Sequence, residues 1–337
     1  MTLSELVNMR LVSQQLATSK FKTPKGLVSW MGAMQAQEFK MAKWAVGIRT
    51  MSADLPMIEA AISDGSILRT HLLRPTWHLV SADDIYRFLD LTAPRLKAAQ
   101  KTREKQLGLT EEIFKKSNSV IKKALGAGQH LNRVELIAKL VKAHIAVDNN
   151  RSSHILFNAE LEGIVCSGAI KNKQHTYALL PERVPGKKIF PREESLAILA
   201  QKYFESHGPA TLPDFTWWSG LSAADARLAL EIIKPGLISE KMDSRIYWFS
   251  PSLSIPQPSK STIYLLPAFD EFIISYKDRS AALLFKDHQK AVSNNGIFRP
   301  IIVMNGKVEG IWKSVVKKDT MFLKPDFFAP VNQKKKI

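Results

Sequence analysis

Ahead of Pro251 the chain repeats one local order, helices of 3.6-residue hydrophobic period closed by a pair of short extended pieces. Leu6, Val7, Met9, Leu11 and Leu16 predict a helix over residues 3–17, with Thr2 and Glu5 placed as a capping box. A second helix follows Pro24 and runs through Leu27, Val28, Trp30 and Met31 towards Met34. A third starts at Leu55 and Pro56 and stops at Asp64 and Gly65, where glycine suits a helix end. Residues 67–80 then read as extended, with arginine, histidine and proline interspersed. Three helices followed by a strand pair is the order of a winged helix-turn-helix module.

The order recurs. Residues 132–146 and 151–168 read as helices, and 169–180 as an extended pair around the polar turn Lys171-Asn172-Lys173-Gln174. Farther on, 193–206 reads as helical and a short helix starts at Thr211. A helix over 222–234 is capped by Ser222 with Asp225, and a hairpin over 238–249 turns near Asp243. Periods differ and identities do not align, so the repeat is one of structure. Residues 251–261, rich in proline and serine, read as a linker. Beyond it, 262–266, 298–304 and 307–312 are strand-like, the last two joined by the hairpin dipeptide Asn305-Gly306, and Met321-Phe322-Leu323 adds a further piece. The expected architecture is mainly α with β wings. Tandem winged helix-turn-helix modules over 1–106, 107–185 and 186–250 precede a small β-rich, barrel-like domain over 262–333.

Charge narrows the partners. Lys and Arg total 48 against 31 acidic residues, a net +17 spread along all 337 residues, so the chain attracts polyanions, nucleic acid first. The tail Lys334-Lys335-Lys336 is expected as a solvated end near phosphate. The single cysteine, Cys166, excludes an internal disulfide and a multi-cysteine zinc site, and its apolar neighbours predict a buried thiol. No signal-peptide core or membrane-length apolar run is present, so a cytoplasmic protein is expected, and no heptad or dimer helix departs from a monomer. His130, His144, His154 and His175 lack metal-ligand spacing, and no phosphate loop or dinucleotide fingerprint occurs; neither metal nor cofactor is expected.

Two segments are candidates for chemistry, the alternative being exposed polar residues in a helix for the first and an ordinary polar strand face for the second. In Met34-Gln35-Ala36-Gln37, helical geometry would point the two amides about 200° apart. If they act together, the chain must leave the helix there. In Leu73-Arg74-Pro75-Thr76-Trp77-His78, strand alternation puts Arg74, Thr76 and His78 on one face, a set suited to phosphate or base contacts. Pro75 argues for an edge or a hairpin tip. The carboxylates Asp270 and Glu271 are expected to point apart, and Asp278 and Arg279 to serve in structural ion pairing with helix ends.

Taken with Leu265-Leu266-Pro267-Ala268-Phe269-Asp270-Glu271-Phe272, Tyr276-Lys277-Asp278-Arg279 and residues 303–313, these segments resemble the AlkZ-type DNA glycosylases, winged-helix enzymes that remove alkylated purines. The resemblance implies that Gln35 and Gln37 are the catalytic pair of a QxQ motif. It also implies that Arg74, Thr76 and His78 contact DNA near the lesion, with Arg69 of the same ribbon counted among the DNA-binding residues. Pro75 departs from the glycine of many relatives, and one branch of the family carries aspartate at the second motif position, which this chain does not. The implied enzyme is monofunctional, excising cationic N7- or N3-alkylated purines from double-stranded DNA, with unhooking of crosslinks as an open extension. An already cationic base leaves without protonation, so two amide dipoles suffice to steady the sugar and hold a water. The alternative is a non-enzymatic winged-helix DNA-binding protein or transcriptional regulator.

Overall fold

A computed structural model describes residues 1–253, 262–318 and 320–330. Most of the expected linker, and the lysine tail, lie outside these residues. The order of elements repeats three times. In the first unit the helices Pro24–Met31, Phe39–Gly47 and Leu55–Ser63 accompany the strands Ala33–Gln35, Ile67–Leu72 and Thr76–Ser81. The short first strand pairs with the last one, so the antiparallel sheet runs first–third–second. The second unit has the helices Glu111–Leu125, Arg133–Lys142 and Arg151–Leu161, with Leu131–Asn132, Thr176–Leu179 and Val165–Ser167 in the same sheet order. In the third, Arg192–His207, Leu212–Ser219 and Ala223–Ile233 lead into the hairpin Ile238–Met242 and Arg245–Phe249. A single bridge from Ala210 to Trp248 stands where the other units have a first strand.

Several boundaries differ from the sequence expectation, each for a local reason. The helix expected to 146 stops at Lys142 because His144 takes a left-handed conformation, φ 56°. The helix expected to 168 stops at Leu161, and the chain enters the strand Val165–Ser167. Sequence reading passed over Phe39–Gly47, Ile85–Gln106 and Glu111–Leu125. The 22-residue helix Ile85–Gln106 carries Pro94 inside it and joins the first unit to the second. The Thr2–Glu5 capping box opens the helix Leu3–Ser13 as expected. That helix buries its apolar face outside the first unit's own core: Leu6, Val7 and Leu11 share a core with Leu266, Ile301, Val303 and Ile311 of the C-terminal sheet. A self-contained module over 1–106 therefore does not account for it.

Among the described residues the C-terminal sheet is open, not a barrel. Its four antiparallel strands lie in the order Ile263–Leu266, Ile301–Met304, Lys307–Lys317, Thr320–Phe327, and the outer two do not meet. Asn305 at φ 51° and Gly306 at φ 77° form the tight turn expected of that dipeptide. Fully buried Arg49 is gripped by Asp270 through two hydrogen bonds of 2.8 and 2.7 Å, with Gln14 Oε1 at 3.1 Å. One guanidinium thus ties the end of the N-terminal helix and the first unit to the start of the helix Glu271–Ile274, which Asp270 caps. Cys166 is buried and its thiol is pushed up to about 12 by burial. No helix among the described residues is long and apolar enough to cross a membrane.

Candidate active site

The Gln35–Gln37 segment leaves helical geometry at Gly32. That residue sits at φ 74°, and an added Cβ there would meet Lys202 at 3.3 Å and Trp218 at 3.4 Å, so glycine serves both the turn and the close packing. The chain then runs extended along the ribbon's second strand, pairing Ala33 with Val80, Met34 with Leu79 and Gln35 with His78. Ala36 N–H donates to Trp77 O at 2.7 Å. Both glutamines contact this strand. Gln35, 5 % exposed, accepts at Oε1 from the Thr76 hydroxyl (3.2 Å) and from Arg74 Nη2 (3.5 Å). Gln37 is exposed, and its Oε1 lies 3.5 Å from Trp77 N–H. Guanidinium only donates, so Arg74 fixes which end of the Gln35 amide is oxygen and leaves the Nε2 hydrogens for another group.

Residues distant in sequence hold Gln35 from behind. Its backbone N–H donates to Glu271 Oε1 at 2.5 Å. Glu271 is 2 % exposed; its other oxygen accepts from the Ser275 hydroxyl and lies 3.6 Å from His207 Nε2. Burial pushes the Glu271 carboxyl upwards, but His207, Ser275 and the Gln35 N–H outweigh that and hold it down at about 2. Burial in turn keeps the His207 imidazole below its ordinary value. Asp270, the neighbour of Glu271, turns the other way to Arg49, so the two carboxylates do point apart. Asp278 and Arg279 take structural roles, each with its own partner. Asp278 meets Arg245, while Arg279 donates to Ile273 O at 2.8 Å and lies over the rings of Trp217 and Phe298.

Arg74, Thr76 and His78 share the Gln35 side of the ribbon, as alternation predicts, but their exposure differs. Arg74 and Thr76 are half-buried, whereas His78 is 1 % exposed. Burial, with Arg74 alongside, pushes His78 down to about 3, so it is neutral and its Nδ1 lies 3.0 Å from Thr76 O. Arg69 is 7 % exposed and donates from Nε and Nη2 to Ala36 O (3.0 and 2.9 Å), clamping the residue between the two glutamines. Burial lowers it to about 10. Expected on DNA, Arg69 and His78 are inside the protein; their polar atoms hold the loop and the ribbon. Burial likewise lowers Arg74, against the pull of Glu271, and its Nε has no partner among the described residues.

The ribbon tip adjoins a groove of about 570 Å³ against the third unit. Arg74, Arg95, Arg227 and Lys277 line it with Pro75 and Trp217, and no acidic side chain does. Gly220 permits this approach: a Cβ there would lie 2.3 Å from Leu73 O. A groove with four cations and an aromatic face suits a phosphate backbone. Sequence reading missed Glu271, His207 and Ser275 as supports of Gln35, and Trp217, Arg95 and Arg227 at the groove. The signal available was the Asp270-Glu271 dipeptide beside an apolar run.

A family model described as DNA glycosylase AlkZ-like matches residues 28–335. The interstrand DNA cross-link repair glycosylase of Streptomyces sahachiroi is 24 % identical over 330 residues, covering 91 % of this chain and 86 % of the relative. The solved structure of Streptomyces sahachiroi DNA glycosylase AlkZ superposes with a TM-score of 0.80 at 20 % identity, over 99 % of this chain and 93 % of that one.

Proposed function

Because this chain belongs to the AlkZ-like DNA glycosylase family and is a DNA glycosylase, we propose that it excises cationic N7- or N3-alkylated purines from duplex DNA with Gln35 and Gln37 as its catalytic pair. The three repeated units act as winged-helix modules around the duplex, the enzyme works as a cytoplasmic monomer, and crosslinked purines are within its range. One observation carries the assignment of roles: Gln35 Oε1 is engaged by Thr76 and Arg74, while Gln37 is exposed. Gln35 therefore offers its Nε2 hydrogens to a water, and Gln37 offers an amide oxygen to the same water and to the sugar.

The C1′–N9 bond breaks with both electrons going to N9, which neutralises the alkylated base. The water oxygen bonds to C1′ and its proton passes to solvent. No lyase step follows, so the enzyme is monofunctional. Neither amide donates or removes a proton in the ordinary sense; the base is already cationic before the bond breaks and leaves neutral, so no acid is needed at the leaving group. Arg74 and Thr76 stand on the reacting side, and the groove beyond Pro75 carries the phosphates. Arg69 and His78 act through the loop and strand they hold.

Release of N7-methylguanine from methylated DNA tests the reading. Gln37→Ala should slow release by about a hundredfold or more, the scale of losing one preorganised dipole, while duplex binding changes little. Equal release by the variant would remove Gln37 from the chemistry.

A further inference from the structure

Behind the ribbon, on the side opposite Gln35, lies a cavity of about 230 Å³ between the first and second units. Strand alternation turns Trp77 towards it while Thr76 and His78 turn to the glutamine side. The Trp77 ring packs 4.1 Å from the His71 imidazole and 6.3 Å from Tyr177, and Phe157 meets His71 edge-on at 4.6 Å. Glu160, 1 % exposed, also lines the cavity. Its Oε2 accepts from His71 N–H at 2.8 Å and lies 2.6 Å from His71 Nδ1, but its Oε1 has no partner among the described residues. Arg133, at the same cavity, donates to Ser153 Oγ at 2.8 Å. A buried carboxylate oxygen without a donor is an unusual thing for a folded protein to keep.

We propose that this cavity binds a single purine base, with N–H donors at Glu160 Oε1 and a carbonyl oxygen or ring nitrogen towards Arg133. Its volume equals the share of about eight waters, room for one planar bicyclic ring but less than a drug-sized ligand takes. Four aromatic rings supply stacking and edge contacts. The charges oppose a purely cationic ligand, since Arg133 and Arg69, the latter 4.1 Å over Trp77, flank the one carboxylate. They suit a heterocycle that donates on one edge and accepts on another, as a guanine-type base does.

Continuity with the reacting groups gives the site a use. Gln37 Oε1 takes the Trp77 N–H, and Pro75 lines both this cavity and the basic groove. Phosphate side and base side thus meet at the ribbon tip. The choice of an alkylated purine rests on the proposed reaction; the existence of a base site does not.

Equilibrium dialysis of the full chain against radiolabelled 7-methylguanine tests it. One saturable site is expected, weakened about tenfold or more by Glu160→Gln, the scale of losing a hydrogen bond to a charged group. Gln100→Trp, made on a half-buried residue at the cavity lining, should abolish binding without disturbing the core. Free 7-methylguanine should also compete with methylated DNA in the wild type and not in Gln100→Trp. No saturable binding at millimolar base, unchanged binding in both variants, or equal binding of cytosine would overturn the proposal. Gln37→Ala separates the two readings. It should bind the base and fail to excise; excision by that variant sinks the catalytic assignment and leaves the cavity standing.

Discussion

Glu271→Gln keeps the shape of the side chain behind Gln35 and removes its charge. The wild-type carboxyl titrates at about 2 in the folded protein against an ordinary 4.5. That difference is worth about 3 kcal/mol of stability, at ~1.4 kcal/mol for each pH unit. Because the folded value is the lower one, the contribution is complete above the unfolded value, and is lost as pH falls from about 5 towards 2. Glutamine can still accept the Gln35 N–H, but it brings an amide NH2 against the Ser275 hydroxyl and His207. Urea unfolding should therefore show the variant less stable by about 3 kcal/mol at pH 7, with the gap shrinking to less than half at pH 3. Excision should fall as well, since the strand carrying Gln35 loses its charged anchor. Coincident urea midpoints at pH 7, or a gap that persists unchanged at pH 3, would refute the claim that an ionised Glu271 holds this strand.

Asp270→Asn leaves Arg49 buried beside a neutral partner and should cost about 3–5 kcal/mol in urea unfolding, most of it recovered when Arg49→Met is added. Arg227→Ala, at the basic groove and away from both glutamines, should weaken duplex binding and lower the slope of log affinity against log salt by about one, read by fluorescence anisotropy. Gln37→Asp should fold as stably as wild type, because position 37 is exposed, while Gln35→Asp should lower the thermal midpoint by bringing a carboxylate into the pocket already holding Glu271.

Local rules made much of this legible. The third-unit helices, the Ser222 cap, the hairpin at Asp243 and the Asn305-Gly306 turn were all found as read, because each is decided by neighbours within a few residues. The requirement that Gln35 leave the helix was also readable, from the angle between alternate positions alone. What stayed hidden was long-range. Ile85–Gln106 is a helix despite Pro94, and its apolar Ile85, Phe88 and Leu89 are buried against residues more than a hundred positions away. The strand-like stretch at the end suggested closure into a barrel, but closure depends on how edges meet, which no segment encodes. Arg69 and His78 had the right types for DNA and the wrong burial, since alternation fixes a face without saying whether that face is wet.

The contrast between the two glutamines follows from the same geometry. Gln35 lies between a guanidinium at its side-chain oxygen and a carboxylate at its backbone nitrogen, 236 residues on. A charged side chain there would upset one partner or the other: an acid would gain Arg74 and confront Glu271, a base would do the reverse. A neutral amide satisfies Arg74 and Thr76 through oxygen and still has two hydrogens to give. Gln37, held only by a long contact to Trp77 N–H and open to solvent, carries no such constraint. Position 37 therefore tolerates a charge in this fold, whereas a neutral amide at position 35 suits both Arg74 and Glu271.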